Sequence, residues 1–322
     1  MRLGGWVFVW AVGCGSPDAP VDPQDTDLRV FEVPAGASAN RLTDRLVAEG
    51  LVPSALRWKL FLRGVDASCV KKGRFQVRGA MSMRELLTTL CGPPMVEDEP
   101  FTVVEGWRAR DIDAALVERG WIEPGAFLAV VQNKAVQAPF DVSSPSYEGY
   151  LYPETYRVVP DRFRVEDFVS RQLRTFQERF LVEHEAEVAE RGLHAVVVMA
   201  SMLEREEPTP AQRNVVAGIL WKRLDNGWKL GVDATSRYTL DAWNDRKAFL
   251  KQLRDPADPY NTRLREGLPP TAIGNPGVVS LKAAVAPEAS PYWYYLHDGT
   301  GRFHGGRNAA EHEANRKTYN VY

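Results

Sequence analysis

The sequence has almost no net charge, few histidines and few cysteines, and each shortage excludes a class of protein. Its 40 lysines and arginines nearly balance 42 aspartates and glutamates, which leaves a formal charge of -2. A nucleic-acid-binding protein needs a basic face or stripe, so we expect no nucleic-acid partner. None of the 5 histidines lies at zinc-ligand spacing from another histidine or a cysteine, so we expect no metal and no other cofactor.

Two short catalytic motifs are also missing. The sequence contains no glycine-rich phosphate loop after a predicted strand and no Gly-x-Ser-x-Gly turn. These absences argue against a nucleotide-binding loop and against a serine nucleophile of the α/β-hydrolase kind. Any chemistry must therefore come from other polar residues.

The length and composition are those of an ordinary globular protein with two modest domains. Of the 322 residues, 44% are hydrophobic and 25% are charged. A proline- and acid-rich joint from Gly92 to Pro100 provides a domain boundary. We predict an α+β protein with a leader and linker over 1–27, a small βα module over 28–97 and a larger α+β domain over 98–322.

The first residues are typical of an export signal. Arg2 precedes an apolar run from Leu3 to Val12, which is shorter than the roughly 20 residues that span a bilayer. The run closes on Ala11-Val12-Gly13-Cys14, which is similar to a bacterial lipobox, although leucine is usual at the position of Ala11. Residues 15–23 have the small, proline-rich composition of a tether. We therefore expect a lipid anchor on Cys14, and the alternative is a ragged or misassigned start.

The other two cysteines, Cys69 and Cys91, form an even pair if Cys14 carries lipid. In an oxidising compartment such a pair favours a disulfide. The alternative is two buried free thiols, because a disulfide needs Cα atoms within about 7 Å of each other.

An internal repeat relates two segments at one constant offset. Phe31–Leu42 runs parallel to Phe101–Ile112, and the match continues to Gly50 and Gly120. Each copy predicts a short strand, a turn at glycine, and a helix that a second glycine ends. Chance similarity of two amphipathic helices is the weaker explanation, because strand, turn and stop all keep the same offset.

The first copy belongs to a module of βααβα type. Gly73–Val77 is a predicted strand. Ser82 and Glu85 form a capping box at the start of a helix that ends near Cys91. These signals together predict a small α+β module over residues 28 to about 92.

Three helices are predicted in the second half of the chain. A stripe of apolar residues predicts one long helix over 161–191, and residues 195–203, apolar nearly all round, predict a buried helix. Thr209 is the expected N-cap of a further helix that stops at Asn226-Gly227. The chain beyond it is rich in Gly, Pro, Asn and Tyr, which is usual for binding loops.

Glu204 directly follows the predicted buried helix. If its carboxyl group is partly buried, desolvation raises its pKa, as a general acid at neutral pH requires. The neighbouring acids Glu206 and Glu207 act in the same direction. The alternative, which composition alone favours, is that these residues form the solvated end of a helix.

Other polar clusters are equally open when taken singly. Glu148–Tyr156 contains two carboxylates and three tyrosines, which suit sugar stacking but also ordinary half-buried packing. Asp233-Ala234-Thr235 and Pro259–Thr262 provide further polar groups on predicted loops.

In their order along the chain these clusters resemble the endolytic murein transglycosylase family (MltG, or YceG-like). The resemblance covers most of residues 28–322. Its motifs are Glu148–Tyr156, Ala200–Glu206, Asp233–Thr235, Pro259–Thr262, Gly267–Pro270 and Asn275–Gly277. Five or six motifs in one order make the resemblance specific.

The resemblance implies an activity and a catalytic residue. Family members are lyases that cleave the MurNAc–GlcNAc bond of nascent peptidoglycan internally, without water, and leave a 1,6-anhydro-MurNAc end. The family's catalytic glutamate falls on Glu204. An ordinary glycosidase needs two carboxyl groups. In the lytic reaction the sugar's own 6-hydroxyl is the nucleophile, so one acid suffices.

The resemblance also implies a domain type, partners and substrate-binding residues. The module that starts at residue 28 is similar to a LysM domain. We expect peptidoglycan glycan strands as substrate, peptidoglycan synthases as protein partners, and a membrane anchor that holds the chain in the cell envelope facing the periplasm. The residues implied to bind substrate are Glu148, Tyr152, Asp233, Thr235, Tyr260, Asn261, Pro269 and Asn275.

The sequence departs from the family pattern at several positions beside these residues. Gly231 and Ala234 stand in place of glutamine and proline, Arg263 in place of tyrosine, and Thr271 in place of glycine. The departures affect expected sugar contacts and leave Glu204 intact. Two other functions stay open: a hydrolytic muramidase that uses the same cleft, and a peptidoglycan-binding scaffold with decayed activity.

Overall fold

The computed structural model describes residues 16–95 and 98–321, which fold into two compact units that divide between residues 97 and 98. Helices predominate and the strands form small antiparallel sheets, so the α+β fold class is confirmed. The apolar run at 3–12 and Cys14 lie outside the described residues. Within those residues, no helix has both the length and the apolar composition needed to cross a membrane.

The first unit has the predicted βααβα order. Its elements are β1 (Arg29–Val33), α1 (Thr43–Ala48), α2 (Ala55–Leu62), β2 (Gly73–Val77) and α3 (Met83–Cys91). Strands β1 and β2 pair antiparallel, with Phe31 opposite Phe75, and both rings are buried in the core of this unit. The alternation of buried and exposed residues along each strand buries one face of the two-stranded sheet against the helices.

The last helix of the first unit is fixed at both ends. The Ser82 hydroxyl accepts the Glu85 N–H at 3.2 Å, and the Glu85 carboxylate accepts the Ser82 N–H at 2.8 Å, as the predicted capping box requires. At the other end of α3, Cys91 forms a disulfide with Cys69, and their Cα atoms are 5.0 Å apart.

The second unit contains the remaining elements. In chain order they are β3 (Glu99–Thr102), α4 (Ala109–Glu118), α5 (Ala126–Gln132), β4 (Thr155–Val158), α6 (Val165–Phe176), α7 (Glu185–Arg191), α8 (Leu193–Glu206), α9 (Arg213–Asp225), α10 (Asp233–Tyr238), α11 (Arg246–Gln252), α12 (Val278–Val285), β5 (Tyr294–His297), β6 (Phe303–Gly306) and α13 (Ala309–Thr318). Strand β3 pairs with β4 and β5 pairs with β6. Helix α8 is buried from Val196 to Leu203 and packs on α9 and α12, as its apolar sequence predicts.

The internal repeat is present in the structure as two copies of one local conformation. The glycine that follows the helix has a left-handed φ in each copy, +67° at Gly50 and +70° at Gly120. The N–H of the next residue then bonds the carbonyl of Leu46 or of Leu116, a buried residue inside the helix. The repeat is therefore a strand–turn–helix motif that occurs once in each of the two compact units.

The predicted long helix over 161–191 is wrong as a single element. Helix α6 ends at Phe176, a π-helical turn follows over Gln177–Leu181, and α7 begins only at Glu185. Phe176 and Phe180 both lie in the core, as their i, i+4 spacing on the apolar stripe predicts, with ring centroids 5.6 Å apart. The apolar stripe therefore predicts which rings are buried, but it does not predict the π turn or the non-helical residues 182–184 that separate the two helices.

Two further expectations differ from the structure. The Thr209 side chain makes no cap: a 3-10 turn over Pro210–Gln212 comes first, and α9 begins at Arg213. The chain after Asn226, predicted as loops, contains the four helices α10 to α13. These helices are short and lie between proline and glycine turns, so their periodicity is weak in the sequence.

Candidate active site

Glu204 lies at the carboxyl end of α8, where its side chain is only 8% exposed. Its carboxylate contacts the guanidinium of Arg213, with Oε1 3.0 Å from Nη2 and Oε2 3.3 Å from Nη1. The backbone N–H of Gly277 donates to Oε2 at 2.9 Å. The side chain is therefore enclosed and hydrogen-bonded, which excludes the alternative of a solvated helix end.

Arg213 is itself held from several directions. Its Nε donates to the backbone carbonyl of Glu207 at 3.0 Å, and its Nη1 donates to the Ser280 hydroxyl at 2.9 Å. These bonds join the end of α8 to the start of α9 and to α12. Because a planar guanidinium has donors in a fixed arrangement, this network holds the Glu204 carboxylate in one position.

A second carboxyl group, that of Glu105, lies beside Gly277. Glu105 is exposed on the turn between β3 and α4. A Cβ added at Gly277 would lie 2.0 Å from Glu105 Oε1, so the carboxyl group occupies the space that the glycine leaves open. Partial burial and the negative charge of Glu204 raise the pKa of Glu105, and the charge of Arg213 opposes this shift.

The turn that carries Glu105 is tightly anchored. Gly106 has φ +77°, and a Cβ there would lie 3.4 Å from Glu204 Cγ. Its N–H donates to the Asn275 carbonyl at 2.7 Å, and Asn275 Nδ2 donates to the Trp107 carbonyl at 2.9 Å. The turn therefore needs a glycine at position 106, and Glu105 and Trp107 are the residues on either side of it in the chain.

Two clefts open beside the end of α8. The first, of about 500 Å³, is lined by Arg205, by the rings of Trp107 and Trp243, and by residues of α4. The second, of about 450 Å³, is lined by Glu206 and by residues that include Asp233, Arg263, Tyr295 and His297. The two residues that follow Glu204 in the chain therefore line two different clefts.

Glu206 and Glu207 differ from Glu204 in their surroundings. Burial, followed by the nearby charge of Asp233, raises the pKa of Glu206, whose Oε2 accepts the Tyr295 hydroxyl at 3.4 Å. Glu207 is completely buried, and its Oε2 lies 2.7 Å from His297 Nε2. Of the three acids at this end of α8, Glu204 has the arginine partner.

Asp233 lines the second cleft and forms an ion pair with Arg263. Arg263 stands where the family resemblance leads one to expect tyrosine, so the departure supplies a charged partner to the aspartate. Asp233 begins α10, and Thr235 on the same helix is buried, with its hydroxyl donating to the Val232 carbonyl at 2.7 Å. Thr235 therefore secures the start of α10.

Glu148 is buried away from open solvent. Its carboxylate accepts the N–H of Ala109 at the start of α4, the hydroxyl of Tyr238 at 3.1 Å and the Nδ2 of Asn275 at 3.2 Å. Burial raises its pKa to about 7, although the hydrogen bonds lower it in part. Glu148 thus ties α4 to α10 and to the loop before α12.

Two asparagines with implied sugar contacts are fully buried. Asn261 donates to the backbone carbonyls of Gln252 and Asp255. Asn275 accepts the N–H groups of Gly149 and Leu151 at 2.8 and 3.0 Å. Both side chains hold loops together in this structure.

Three further residues implied to bind substrate have packing roles. The Tyr260 hydroxyl lies 2.8 Å from the Thr271 hydroxyl, and its ring packs on Tyr238 with centroids 4.8 Å apart. Tyr152 is buried and accepts the Tyr156 hydroxyl on its backbone carbonyl at 2.6 Å. Pro269 is also buried.

Several residues of the site were not predicted from the sequence. They are Glu105, Trp107, Arg213, Trp243, Tyr295 and His297. Glu105 and Trp107 offered one signal, because the first copy of the repeat has Ala35 and Ala37 at the matching positions. Both copies keep the glycine, but the second copy has an acid and an indole where the first has alanines. This difference indicates a function for these two side chains in the second copy alone.

A model of the YceG-like family matches residues 31–318. The chain belongs to the YceG-like family. The match takes in both units and every residue named at this site. The same family was expected from the motif order, and that prediction is confirmed.

Two relatives of this YceG-like chain are both named endolytic murein transglycosylase. The endolytic murein transglycosylase of Bacillus subtilis (strain 168) is 23% identical over 317 residues, which are 93% of this chain and 87% of that protein. The endolytic murein transglycosylase of Streptococcus pneumoniae serotype 2 is 21% identical over 327 residues. That alignment covers 92% of this chain but 59% of the pneumococcal protein.

A crystal structure of a yceG-like protein from Listeria monocytogenes has the same fold. The comparison gives a TM-score of 0.59 with 23% sequence identity, and it covers 89% of this chain and 99% of the Listeria chain. At this level of identity the likeness supports the architecture of the YceG-like chain and not the contacts of its side chains.

Proposed function

We propose that this chain is a peptidoglycan lytic transglycosylase, a lyase that cleaves the MurNAc–GlcNAc bond inside glycan strands. The observation that carries the proposal is the enclosed Glu204 carboxylate, held by Arg213 and by the N–H of Gly277. The names of the Bacillus and Streptococcus relatives support the same activity.

Glu204 acts as both acid and base in this proposal. Its protonated carboxyl group gives a proton to the glycosidic oxygen as the bond from that oxygen to C1 of MurNAc breaks. The resulting carboxylate then takes the proton of the 6-hydroxyl as O6 bonds to C1. The products are a free GlcNAc hydroxyl end and a 1,6-anhydro-MurNAc end, with no water consumed. Arg213 and Gly277 are positioning residues, because they hold the carboxylate.

A second candidate function is hydrolysis of the same bond. It is motivated by Glu105, whose carboxyl group is a second acid beside Gly277. Inverting and retaining hydrolases both need two carboxyl groups, one as acid and one as base or nucleophile. In that case Glu105 would activate water or attack C1, and the new end would be a reducing sugar.

The proposal also includes the cellular location of the chain and a role for its first unit. We infer a chain held in the cell envelope by lipid on Cys14, facing the periplasm, with peptidoglycan synthases as partners. The first unit, with its βααβα order, would serve as a LysM-like module that accompanies the catalytic unit. The Cys69–Cys91 disulfide is consistent with an oxidising compartment.

The nature of the new glycan end tests the proposal. The purified protein is incubated with uncrosslinked nascent glycan strands, and the fragments are separated and weighed by mass spectrometry. Internal fragments with MurNAc ends one water lighter than the reducing form support the lytic reaction. Reducing ends would instead establish the hydrolase, and binding without cleavage would favour a scaffold.

A further inference from the structure

The first cleft beside α8 offers two aromatic rings and a cation with an unused donor. The cleft lies between the turn that carries Trp107, helix α4, the end of α8 and the segment that carries Trp243. Its volume of about 500 Å³ is within the range of cavities that take small ligands. Both tryptophan rings are half-buried, so each is fixed by the core and still partly open.

Arg205 joins this cleft to the cleavage site. It directly follows Glu204, and its guanidinium lies 4.3 Å from the centroid of the Trp243 ring. One donor of Arg205 bonds the Gly106 carbonyl, whereas its buried Nε has no hydrogen-bond partner within residues 16–95 and 98–321. A buried donor without a partner costs free energy, and a ligand oxygen in the cleft would remove that cost.

The arginine and the aspartate at the start of α4 that line the cleft are already paired, whereas Glu118, which also lines it, is exposed. Arg108 and Asp111 pair with each other at 2.9 Å, and Arg108 also donates to the Leu240 carbonyl at 2.9 Å. The groups left for a ligand are therefore the two indoles, the guanidinium of Arg205 and the carboxylate of Glu118. Part of the Trp243 ring is already covered, because the guanidinium carbons of Arg205 and Arg108 lie 4.3 and 5.6 Å from its centroid. Indole faces stack on the apolar face of a sugar ring, and a guanidinium donates to a carbonyl or carboxylate oxygen.

The fold does not need the indole of Trp107. In the first copy of the repeat the matching residue is Ala37, and the same turn forms around Gly36, with φ +72° against +77° at Gly106. The backbone of Trp107 is nonetheless fixed by two bonds from Asn275 to its carbonyl. An aromatic ring that the turn does not require, and that lines the same cleft as Arg205, is typical of a ligand contact.

We propose that this cleft is a sugar subsite that binds one N-acetylated ring of the glycan strand beside the bond that Glu204 cleaves. The ring stacks against Trp107 and Trp243, and its acetamido oxygen accepts a hydrogen bond from Arg205. The inference rests on the proposed function, since it assumes that glycan lies across Glu204.

The test uses chitotetraose, an uncharged oligomer of N-acetylglucosamine, as a probe of binding that does not depend on cleavage. Its dissociation constant is measured by calorimetry for the full protein and for Trp243→Ala, Trp243→Phe and Ala114→Met. The last variant narrows the cleft from an exposed position on α4 and leaves both tryptophans in place. Trp228→Ala is the control, because that exposed indole packs on Trp293 and does not line the cleft.

We expect Trp243→Ala and Ala114→Met to weaken binding roughly three- to tenfold, with partial recovery in Trp243→Phe and no change in Trp228→Ala. On glycan strands the same variants should raise KM by a similar factor and change kcat less. Unchanged affinity in Trp243→Ala and Ala114→Met, or absence of chitotetraose binding by the wild-type protein, would overturn the subsite. Glycan cleavage by the wild-type protein in either case would leave the proposed function standing, so the two failures are distinguishable.

Discussion

Arg213 and Glu204 form a buried ion pair, with Nη2 and Oε1 3.0 Å apart and each side chain only 8% exposed. The pair joins the end of α8 to the start of α9, and it fixes the one acid of the Glu204–Glu207 stretch that we propose to be catalytic. An ion pair in this position contributes both to stability and to the geometry of the reaction, and these contributions can be separated.

Arg213→Met should destabilise the protein and reduce cleavage. Removal of one partner leaves a buried charge without compensation, which costs on the order of 3–5 kcal/mol. Urea unfolding measures this loss, and Arg179→Met is a matched control, since the pair of Arg179 with Glu154 is exposed and should contribute less than about 1 kcal/mol. In a Glu204→Gln background the cost of Arg213→Met should be smaller. Equal costs in both backgrounds would show that the pair itself contributes nothing.

Gly277→Ala should displace the Glu105 carboxyl group with little effect on stability. The φ of Gly277 is −73°, so alanine causes no backbone strain, but its Cβ would meet Glu105 Oε1 at 2.0 Å. Because the end of a flexible side chain can move, we expect the free energy of unfolding to change by less than about 1 kcal/mol. If Glu105 takes part in the reaction, the rate should fall roughly tenfold or more.

A double variant decides whether that rate loss acts through Glu105. In a Glu105→Ala background, the added methyl group of Gly277→Ala has no carboxyl group to displace, so we expect little further loss of activity. Fully additive losses would mean that Gly277→Ala acts on Glu204 through the amide at position 277 instead.

The buried Glu148 should make stability depend on pH. Its pKa is about 7 in the folded protein, above the ordinary value near 4.5, so the folded state binds more protons between these pH values. The contribution of Glu148 to the free energy of unfolding is therefore largest below about pH 4.5, falls as pH rises through the window, and levels off above about pH 7. Glu148→Gln removes this titration, so the stability of wild type relative to Glu148→Gln should fall by up to roughly 3 kcal/mol from pH 4.5 to 8. Urea unfolding at several pH values measures it, and a difference independent of pH would contradict the account.

The two glycines that end the repeated helices should have equivalent conformational roles. Gly50 and Gly120 both have positive φ, and neither has any atom within 4 Å of an added Cβ. Alanine at either position should therefore cost about 1 kcal/mol through backbone strain alone. Gly64→Ala is the control, because its φ is not in the left-handed region and its nearest atom is 3.7 Å from an added Cβ. A cost at one repeat position only would argue against a shared conformation.

Local signals in the sequence predicted much of the fold. The capping box at Ser82, the strand at Gly73–Val77, the repeat and the buried helix α8 all depend on residues close together in the chain. Errors arose where the backbone departs from a regular helix, as at the π turn over Gln177–Leu181 and the 3-10 turn over Pro210–Gln212. The structure divides into two compact units near residue 97, and the assignment of these units as domains stays a prediction.

The site was less accessible to prediction. Motif order pointed to Glu204, but its partners come from Arg213 on another helix and from Gly277, 73 residues away in sequence. Neither contact leaves a periodic or spacing signal. The resemblance also marked Asn261 and Asn275 without indicating that both amides bind backbone groups. A single sequence gives no means of separating a residue that holds a loop from one that touches the substrate.

The most direct test of the account is the cleavage rate of Glu204→Gln on uncrosslinked glycan strands. Glutamine keeps an oxygen for the Gly277 N–H but can neither give nor take the proton, so we predict a loss of at least about 10²- to 10⁴-fold. Glu178→Gln, an exposed residue of the π turn, is the matched control and should cleave at the wild-type rate. A folded Glu204→Gln protein that still forms anhydro ends within about tenfold of the wild-type rate would contradict the assignment of Glu204 as the acid and base.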